Sequence, residues 1–151
     1  MITTNDLPTS KLEALLIDVG LLGTAIEIDG ESIGPAIVQL GKMNDNAPGI
    51  TDSDWIVSIM CVGSNNLSNS REYDDLNALI VVTSPTDDSY SVVAEMYAKL
   101  INDALTDKDP GGPMPGYESF LGAKPAGYNG PFFSPSGRVS FEVSSSLLLC
   151  R

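Results

Sequence analysis

One stretch, residues 76–105, constrains the fold more than any other. It opens with LNALIVVT (76–83), a short apolar run rich in β-branched residues, which is typical of a strand covered on both faces. Pro85 ends this run because proline has no N–H to donate to a β-ladder. Residues 87–89 (Asp-Asp-Ser) follow, and their side-chain oxygens can accept hydrogen bonds from the first amides of a helix. The sequence therefore predicts a buried strand, a turn and a capped helix.

Residues 92–105 carry the clearest helical periodicity in the chain. Apolar side chains recur at spacings of one and three, and polar side chains fall on the opposite side. A stripe this wide is typical of a helix that lies across a sheet, so a core role is expected rather than a cofactor site. The predicted stripe consists of Val92, Val93, Met96, Tyr97, Leu100, Ile101, Ala104 and Leu105.

Shorter elements are predicted before this unit. Leucines at helical spacing in residues 10–19 indicate a helix that ends by about Gly20. The dipeptide Asp29-Gly30 favours a two-residue hairpin turn because both residues tolerate a positive φ. Residues 33–40 are the expected return strand, placed at an edge or given a bulge because Pro35 interrupts its start.

Two further strands complete the predicted sheet. Residues 55–62 form an apolar run that we expect to pair with residues 76–83 in an antiparallel hairpin. Residues 138–143 (RVSFEV) alternate between polar and apolar side chains, as a half-buried strand does. The element order predicts one α+β domain over residues 1–151, with a mostly antiparallel sheet, two main helices packed on one face, and long loops or arms.

Residues 109–137 differ in composition from the rest of the chain. Prolines and glycines crowd residues 109–116, and an irregular excursion is predicted over the whole of 109–137. Aromatic side chains punctuate it, so we expect it to dock either on its own domain or on a neighbouring one. A second projecting arm or binding loop is predicted at 63–71. The candidate interface side chains on the two segments are Leu67, Arg71, Met114, Tyr117, Phe120, Tyr128, Phe132 and Phe133.

The amino-acid inventory argues against several kinds of function. The chain has 20 acidic and 8 basic residues and a net charge of -12, which opposes binding to nucleic-acid phosphates or to an anionic membrane. It has no histidine, which removes Ser-His-Asp and Cys-His catalysis and histidine zinc sites. No catalytic, cofactor-binding or metal-ligating constellation is recognisable, and neither a signal peptide nor a membrane span is expected. We therefore expect a protein that is not an enzyme and holds no cofactor.

The two cysteines and the loop acids have simple interpretations. Cys61 lies in an apolar run and is expected to be buried. A disulfide with Cys150 is possible, but two thiols in a reducing compartment are the expectation. Asp52-Ser53-Asp54 is compatible with a calcium loop, yet the spacing of an EF-hand is missing, so solvated loop acids are the preferred interpretation.

The order of these motifs resembles that of a known family. It resembles the tail terminator and tail-completion (minor capsid-type) proteins of long-tailed bacteriophages. The resemblance is carried by the strand at 76–83, the helix that residues 87–89 open and that contains Ala94 and Met96-Tyr97, the aromatic-bearing excursion, and the closing strand at 138–143. The resemblance covers most of the chain and rests on element order and length. It implies no catalytic or ligand-binding residues.

The resemblance implies a virion protein of the tail or neck that assembles in the host cytoplasm. Such a protein forms a ring, usually of six subunits, on the last ring of the tail tube, stops tube growth and meets the connector or stopper protein of the head. A closed ring of identical subunits needs a projecting segment on each that meets a different patch on the next. An acidic ring would also repel the DNA backbone, so DNA passes through without specific binding.

Two other functional classes remain as alternatives. A monomeric acidic inhibitor or immunity-type protein could cover a basic partner such as a nuclease, and the net charge fits it equally well. The scatter of the acids along the sequence favours the ring over this alternative. A small acid-catalysed hydrolase is a more remote alternative, since no carboxylate lies in an apolar setting that would raise its pKa.

Overall fold

Nine helices and strands make up the part of the chain that the computed structural model describes, namely residues 8–66, 73–107 and 119–150. A single turn of 3-10 helix, Asp88–Tyr90, leads into the second α-helix. In chain order the elements are α1 (Pro8–Asp18), β1 (Ile26–Ile28), β2 (Glu31–Ile33), β3 (Ile37–Leu40), β4 (Ile56–Asn66), β5 (Tyr73–Thr83), α2 (Ser91–Asp107), β6 (Ser119–Phe133) and β7 (Val139–Cys150).

Five of the strands form one sheet in the order β3-β4-β5-β7-β6, and β1 and β2 form a separate hairpin. Strand β3 runs parallel to β4, whereas the β4–β5, β5–β7 and β7–β6 pairs are antiparallel. With two helices and a mostly antiparallel sheet, the predicted α+β class is confirmed. The predicted pairing of the two long apolar strands is also confirmed, since Ile59 of β4 lies opposite Ile80 of β5.

One face of the sheet is covered by helices. Alternate residues of the inner strands, such as Val57, Ile80 and Phe141, are buried on this face. They belong to a single apolar cluster with Leu16 of α1 and Ile101 of α2. Burial of this cluster is the main source of stability, at about 25 cal/mol for each Å² of apolar surface removed from water. We call this side the helix-covered face.

The opposite face is covered at one end by the loop between β3 and β4. The Gln39 side chain donates to the Asn44 carbonyl (2.7 Å) and accepts from the Asn44 amide (2.9 Å), which folds the loop back over the sheet. Beneath it Ser58 and Val81 are buried. Strand β5 is therefore buried on both faces around Val81, as its continuous apolar sequence predicted.

The predicted turn chemistry is present. Asp29 and Gly30 join β1 to β2 with φ values of 51° and 77°, as a two-residue hairpin turn requires. Helix α1 ends at Asp18, by about Gly20 as predicted, and the Gly20 amide donates to the Ile17 carbonyl (3.0 Å). At the start of α2, the Asp87 carboxylate accepts from the Ser89 amide (2.9 Å), and this hydrogen bond lowers the pKa of the exposed Asp87 carboxyl.

Three expectations about these elements were wrong. Residues 33–40 are not one return strand, because 31–33 pair with β1 whereas 37–40 join the large sheet as its edge strand. Cys61 is exposed rather than buried, because the helix-covered face is buried only as far as Ile59 in β4. The apolar stripe of α2 is narrower than predicted: Val93, Tyr97, Ile101 and Leu105 are buried, but Val92, Met96 and Leu100 are exposed.

The strand register also separates the two cysteines. Cys61 lies opposite Ala78, which lies opposite Ser145, five residues before Cys150. Five residues of strand span about 17 Å, whereas disulfide-bonded Cα atoms lie within about 7 Å of each other. An intramolecular disulfide is therefore incompatible with this fold.

Tyr97 ties α2 to the segment after α1. Its hydroxyl donates to the Leu21 carbonyl at 2.5 Å, and its ring lies 6.0 Å from that of Trp55. Burial raises the pKa of the Tyr97 phenol well above its usual value near 10. The reason is that the phenolate would lose its hydration in this position.

The shift makes stability depend on pH above about 10. The folded state keeps the Tyr97 proton while the unfolded chain releases it, so this contribution is complete below pH ~10 and declines as the pH rises further, by up to about 1.4 kcal/mol per pH unit. We expect Tyr97→Phe to cost about 1 kcal/mol at pH 7 through loss of the Leu21 hydrogen bond and to remove this alkaline decline. Urea unfolding at pH 7 to 11 measures both, and an unchanged decline in the variant would contradict the prediction.

Candidate interface at the sheet edge

Strand β6 forms one edge of the sheet, and its residues 128–133 are exposed. It pairs with β7 on its inner side, and no other strand of the described chain pairs with it. An edge strand presents unpaired backbone N–H and C=O groups that can accept a strand from another chain. At 15 residues, β6 is much longer than the short edge strands with which soluble proteins usually avoid such pairing. We call its outward side, from Ser119 to Phe133, the β6 edge.

Large aromatic side chains near the end of β6 are exposed to solvent. Phe133 is 65% exposed, Phe132 is 43% exposed and Tyr128 is 36% exposed. The Tyr128 ring makes an edge contact with Phe141 of β7, at 6.3 Å between ring centroids. Several exposed aromatic side chains on one short segment are typical of protein interfaces, in which Tyr and Phe are enriched.

The β6 edge and its continuation contain no acidic residue. Residues 119–141 include two cationic residues, Lys124 and Arg138, but neither Asp nor Glu, although the chain carries 20 acidic residues. Residues 32–43, which contain the other edge strand β3, also lack acids and include one cation, Lys42. Each edge of the sheet therefore belongs to a segment without carboxylates, which limits the repulsion between copies that meet there.

The ladder between β6 and β7 is irregular. Its register shifts between Phe120 and Gly122, between Pro125 and Gly127, and between Asn129 and Phe132. Such bulges bend a strand and redirect its side chains. The regular stretches that remain are two to four residues long, so β6 could pair with another strand only over short segments.

Gly130 sits at the tightest point of this ladder. A Cβ atom at this position would lie 2.7 Å from Cδ1 of Phe141 and 2.9 Å from the Ser140 carbonyl oxygen, and its φ is 150°. Glycine is required here because β6 approaches the core aromatic of β7 closely.

Gly130→Ala is expected to destabilise the fold by about 2–4 kcal/mol, through overpacking against Phe141 and backbone strain. The matched control is Gly127→Ala, where φ is 102° but nothing lies within 4 Å of the added atom. That control carries strain alone and should cost about 1–2 kcal/mol. Urea unfolding followed by fluorescence of Trp55, the single tryptophan, measures both variants. Equal losses would show that the contact with Phe141 is unimportant.

The structure brings together only part of the predicted interface. Leu67, Arg71, Met114 and Tyr117 lie outside the described residues. Phe120, Tyr128, Phe132 and Phe133 all belong to β6, although the position of the Phe120 side chain is not described.

The predicted irregular excursion is wrong for residues 119–133, which form an edge strand of the protein's own sheet, although with three register shifts. Pairing with β7 overrides the low β-propensity of its prolines and glycines. The predicted arm at 63–71 is also wrong for Gly63 to Asn66, which continue β4, and its other residues lie outside the described ones.

Arg138 was not predicted as a structural residue, yet it anchors the turn beside the β6 edge. It is 3% exposed, and its guanidinium donates to the carbonyls of Thr51 (2.7 Å), Asp54 (2.8 Å) and Ser84 (3.0 Å). Within the described chain no carboxylate forms a salt bridge with it. The buried charge is therefore satisfied by backbone dipoles, and it joins the β3–β4 loop to the β5–α2 connection and to the start of β7.

The exposed acids of the described residues lie on several different elements. Glu27, Asp29 and Glu31 are exposed on the β1–β2 hairpin. Asp52 and Asp87 line an open cavity of about 230 Å³ beside the start of α2, together with Ser53, Pro85, Thr86 and Tyr90. Among the described residues no three potential metal ligands come together.

The chain matches no protein-family model, and no curated protein matches its sequence. Within the described residues, no helix is both long enough and apolar enough to cross a membrane. The features that bear on function are therefore the fold, the two open sheet edges and the distribution of charge.

Proposed function

We propose that this protein is a virion structural protein of the head-tail junction, a tail terminator or neck protein of a long-tailed bacteriophage. Copies form a closed ring, of six subunits in the arrangement that the resemblance implies. The ring sits on the last ring of tail tube protein, stops tube growth and presents its other surface to the connector or stopper of the head. It acts in the virion after assembly in the host cytoplasm, and it is not an enzyme.

The observation that carries the proposal is the long, acid-free and aromatic β6 edge on an otherwise acidic domain. Closed rings use heterologous contacts, in which one patch of a subunit meets a different patch of the next. An exposed edge strand with Tyr128, Phe132 and Phe133 provides a patch of this kind. The helix, hairpin, paired strands, helix and last strand of the resemblance are all present in this order, although strand β6 replaces its irregular excursion over residues 119–133.

The net charge of -12 supports the same assignment in a second way. DNA leaving a phage head must slide through the neck without adhering to it. A channel lined by carboxylates repels the phosphate backbone, and its potential is strongest where water is confined. The acid-free edges leave the carboxylates for the remaining surfaces of the subunit, including those that would line such a channel.

The alternative of a monomeric inhibitor of a basic protein is less well supported. An acidic inhibitor covers a basic partner with carboxylates that act together on one surface. Here the exposed acids of the hairpin and those around Asp52 and Asp87 lie on different elements, and the exposed aromatics lie away from any acid in sequence.

A capping assay tests the proposal. Purified tail tubes are incubated with the protein and then supplied with fresh tube subunits, and tube length and end structure are measured by electron microscopy. We expect annular particles at tube ends and an arrest of elongation at a molar excess of this protein over tube ends. Tubes that continue to grow and carry no terminal ring would refute the assignment. Capture of a basic nuclease that the protein inhibits would instead support the inhibitor.

A further inference from the structure

We propose that neighbouring subunits join edge to edge, so that the β6 edge of one copy pairs with the outer side of β3 in the next. This inference rests on the ring proposed above and adds the surface and the partner strand that close it. It commits the β6 edge to one occupant, which is a second copy of this chain. Pairing of the β6 edge with a strand of another protein, or with β6 of a second copy, would contradict this inference.

The outer side of β3, like the β6 edge, has backbone groups that pair with no strand of the described chain. The amides of Ile37 and Gly41 donate inward, to the carbonyls of Trp55 and Ile59, each at 2.8 Å. Because N–H groups alternate in direction along a strand, those of Val38 and Leu40 point away from the sheet. No strand of the described chain lies on that side. Both edges of one sheet therefore have unused backbone donors and acceptors.

Strand direction makes the two edges compatible. Strands β3, β4 and β7 run in one direction, and β5 and β6 run in the other. When copies are placed side by side in the same orientation, β6 of one meets β3 of the next in antiparallel pairing. That is the more stable ladder, and it continues the sheet from subunit to subunit without inverting any of them.

Length and charge favour this pairing over a two-fold β6–β6 contact. The register shifts divide β6 into regular stretches of up to four residues, and β3 is four residues long. Two copies of β6 would have to align all their bulges to use the full strand. In the β6–β3 contact neither pairing strand carries an acidic residue, so no two carboxylates face each other across the ladder.

The three aromatic side chains alone do not supply a stable interface. At about 150–250 Å² for each fully buried aromatic side chain and the observed exposures, Tyr128, Phe132 and Phe133 would bury roughly 300 Å². A standard interface buries about 800 Å² on each partner. The backbone ladder, Lys42 and the half-buried side chains of β3 must therefore contribute, and closure of a ring adds the same contact on every subunit.

Cross-linking between edges tests the pairing. Cys61 and Cys150 are first replaced by serine, and two single-cysteine proteins are then made: Asn129→Cys on β6 and Lys42→Cys just after β3, both at exposed positions. The two proteins carry tags of different size, are mixed with and without purified tail tubes, and are treated with a short bis-maleimide. We expect the mixed Asn129→Cys to Lys42→Cys product to exceed both like-with-like products at least tenfold. A Ser144→Cys protein, exposed on the inner strand β7, is the matched control and should not cross-link.

The outcomes separate this inference from the proposed function. A predominant product between two Asn129→Cys copies would replace it with a two-fold contact. Rings or capped tubes without the mixed product would overturn the β6–β3 pairing and leave the proposed function standing. Cross-linking of Asn129→Cys to the tube subunit alone would assign the edge to a different protein. If the experiment shows no rings and no capped tubes, both the proposed function and this inference are refuted.

Discussion

Replacing Arg138 by methionine is expected to lower the free energy of unfolding by about 3–5 kcal/mol. Methionine fills a similar volume but leaves the carbonyls of Thr51, Asp54 and Ser84 without their buried donor. Each unsatisfied buried group costs about 1–3 kcal/mol. Relief from burying the guanidinium offsets part of that loss. Urea unfolding at pH 7, followed by the fluorescence of the buried Trp55, measures the change.

Two further variants separate the hydrogen bonds from the charge. Arg138→Lys keeps the cation but cannot reach three carbonyls at once, so it should lose roughly half as much as the methionine variant. Lys42→Met removes the same charge from an exposed position and should change stability by no more than about 0.5 kcal/mol. A loss below about 1 kcal/mol for Arg138→Met would mean that the loop is held by other contacts.

Replacing Phe132 and Phe133 together by serine is expected to abolish ring formation and tube capping while leaving the subunit folded. Phe133 is 65% exposed and Phe132 is 43% exposed, so loss of their buried parts should cost the subunit about 2 kcal/mol of stability and leave it folded. The same side chains would be buried in an assembled ring, where truncation of an interface aromatic commonly costs 2 kcal/mol or more. We expect at least a tenfold loss in capping, with an unchanged circular dichroism spectrum.

The matched control changes an apolar surface of similar size elsewhere. Val92 and Leu100 are also exposed, on the outer side of α2, and their replacement by serine should leave capping intact. Normal capping by the Phe132→Ser/Phe133→Ser protein would remove the β6 edge from the interface. A loss confined to the α2 variant would move the interface to the helical layer.

The sequence was most informative where local chemistry and tertiary packing agree. Asp29-Gly30 can form a tight hairpin turn at little steric cost, and the apolar run of β5 matches its burial on both faces. Helix α2 was predicted correctly because its stripe persists over four turns. The excess width of the predicted stripe arose from adjacent apolar pairs such as Val92-Val93, of which only one member reaches the core.

Long-range pairing was the part that sequence patterns could not predict. Strand β6 contains Pro125, Pro131 and several glycines, so its local propensity is for irregular structure. It forms a strand because its backbone pairs with that of β7 in an antiparallel ladder. Arg138 gave no local signal either, since its three acceptors lie 54 to 87 residues away. The candidate interface was therefore predicted as aromatic residues, but not as one edge of a sheet.

The central position of β5 has a consequence for hydrogen exchange. Its amides are bonded on both sides, to β4 and to β7, and around Val81 it is covered above and below. These protons should exchange with deuterium only when the entire domain opens, whereas the outward amides of β6 can exchange from the native state. The rate of deuterium uptake by the β6 edge can therefore be used to detect association. It should slow when copies join, whereas the rate of uptake by β5 should stay the same.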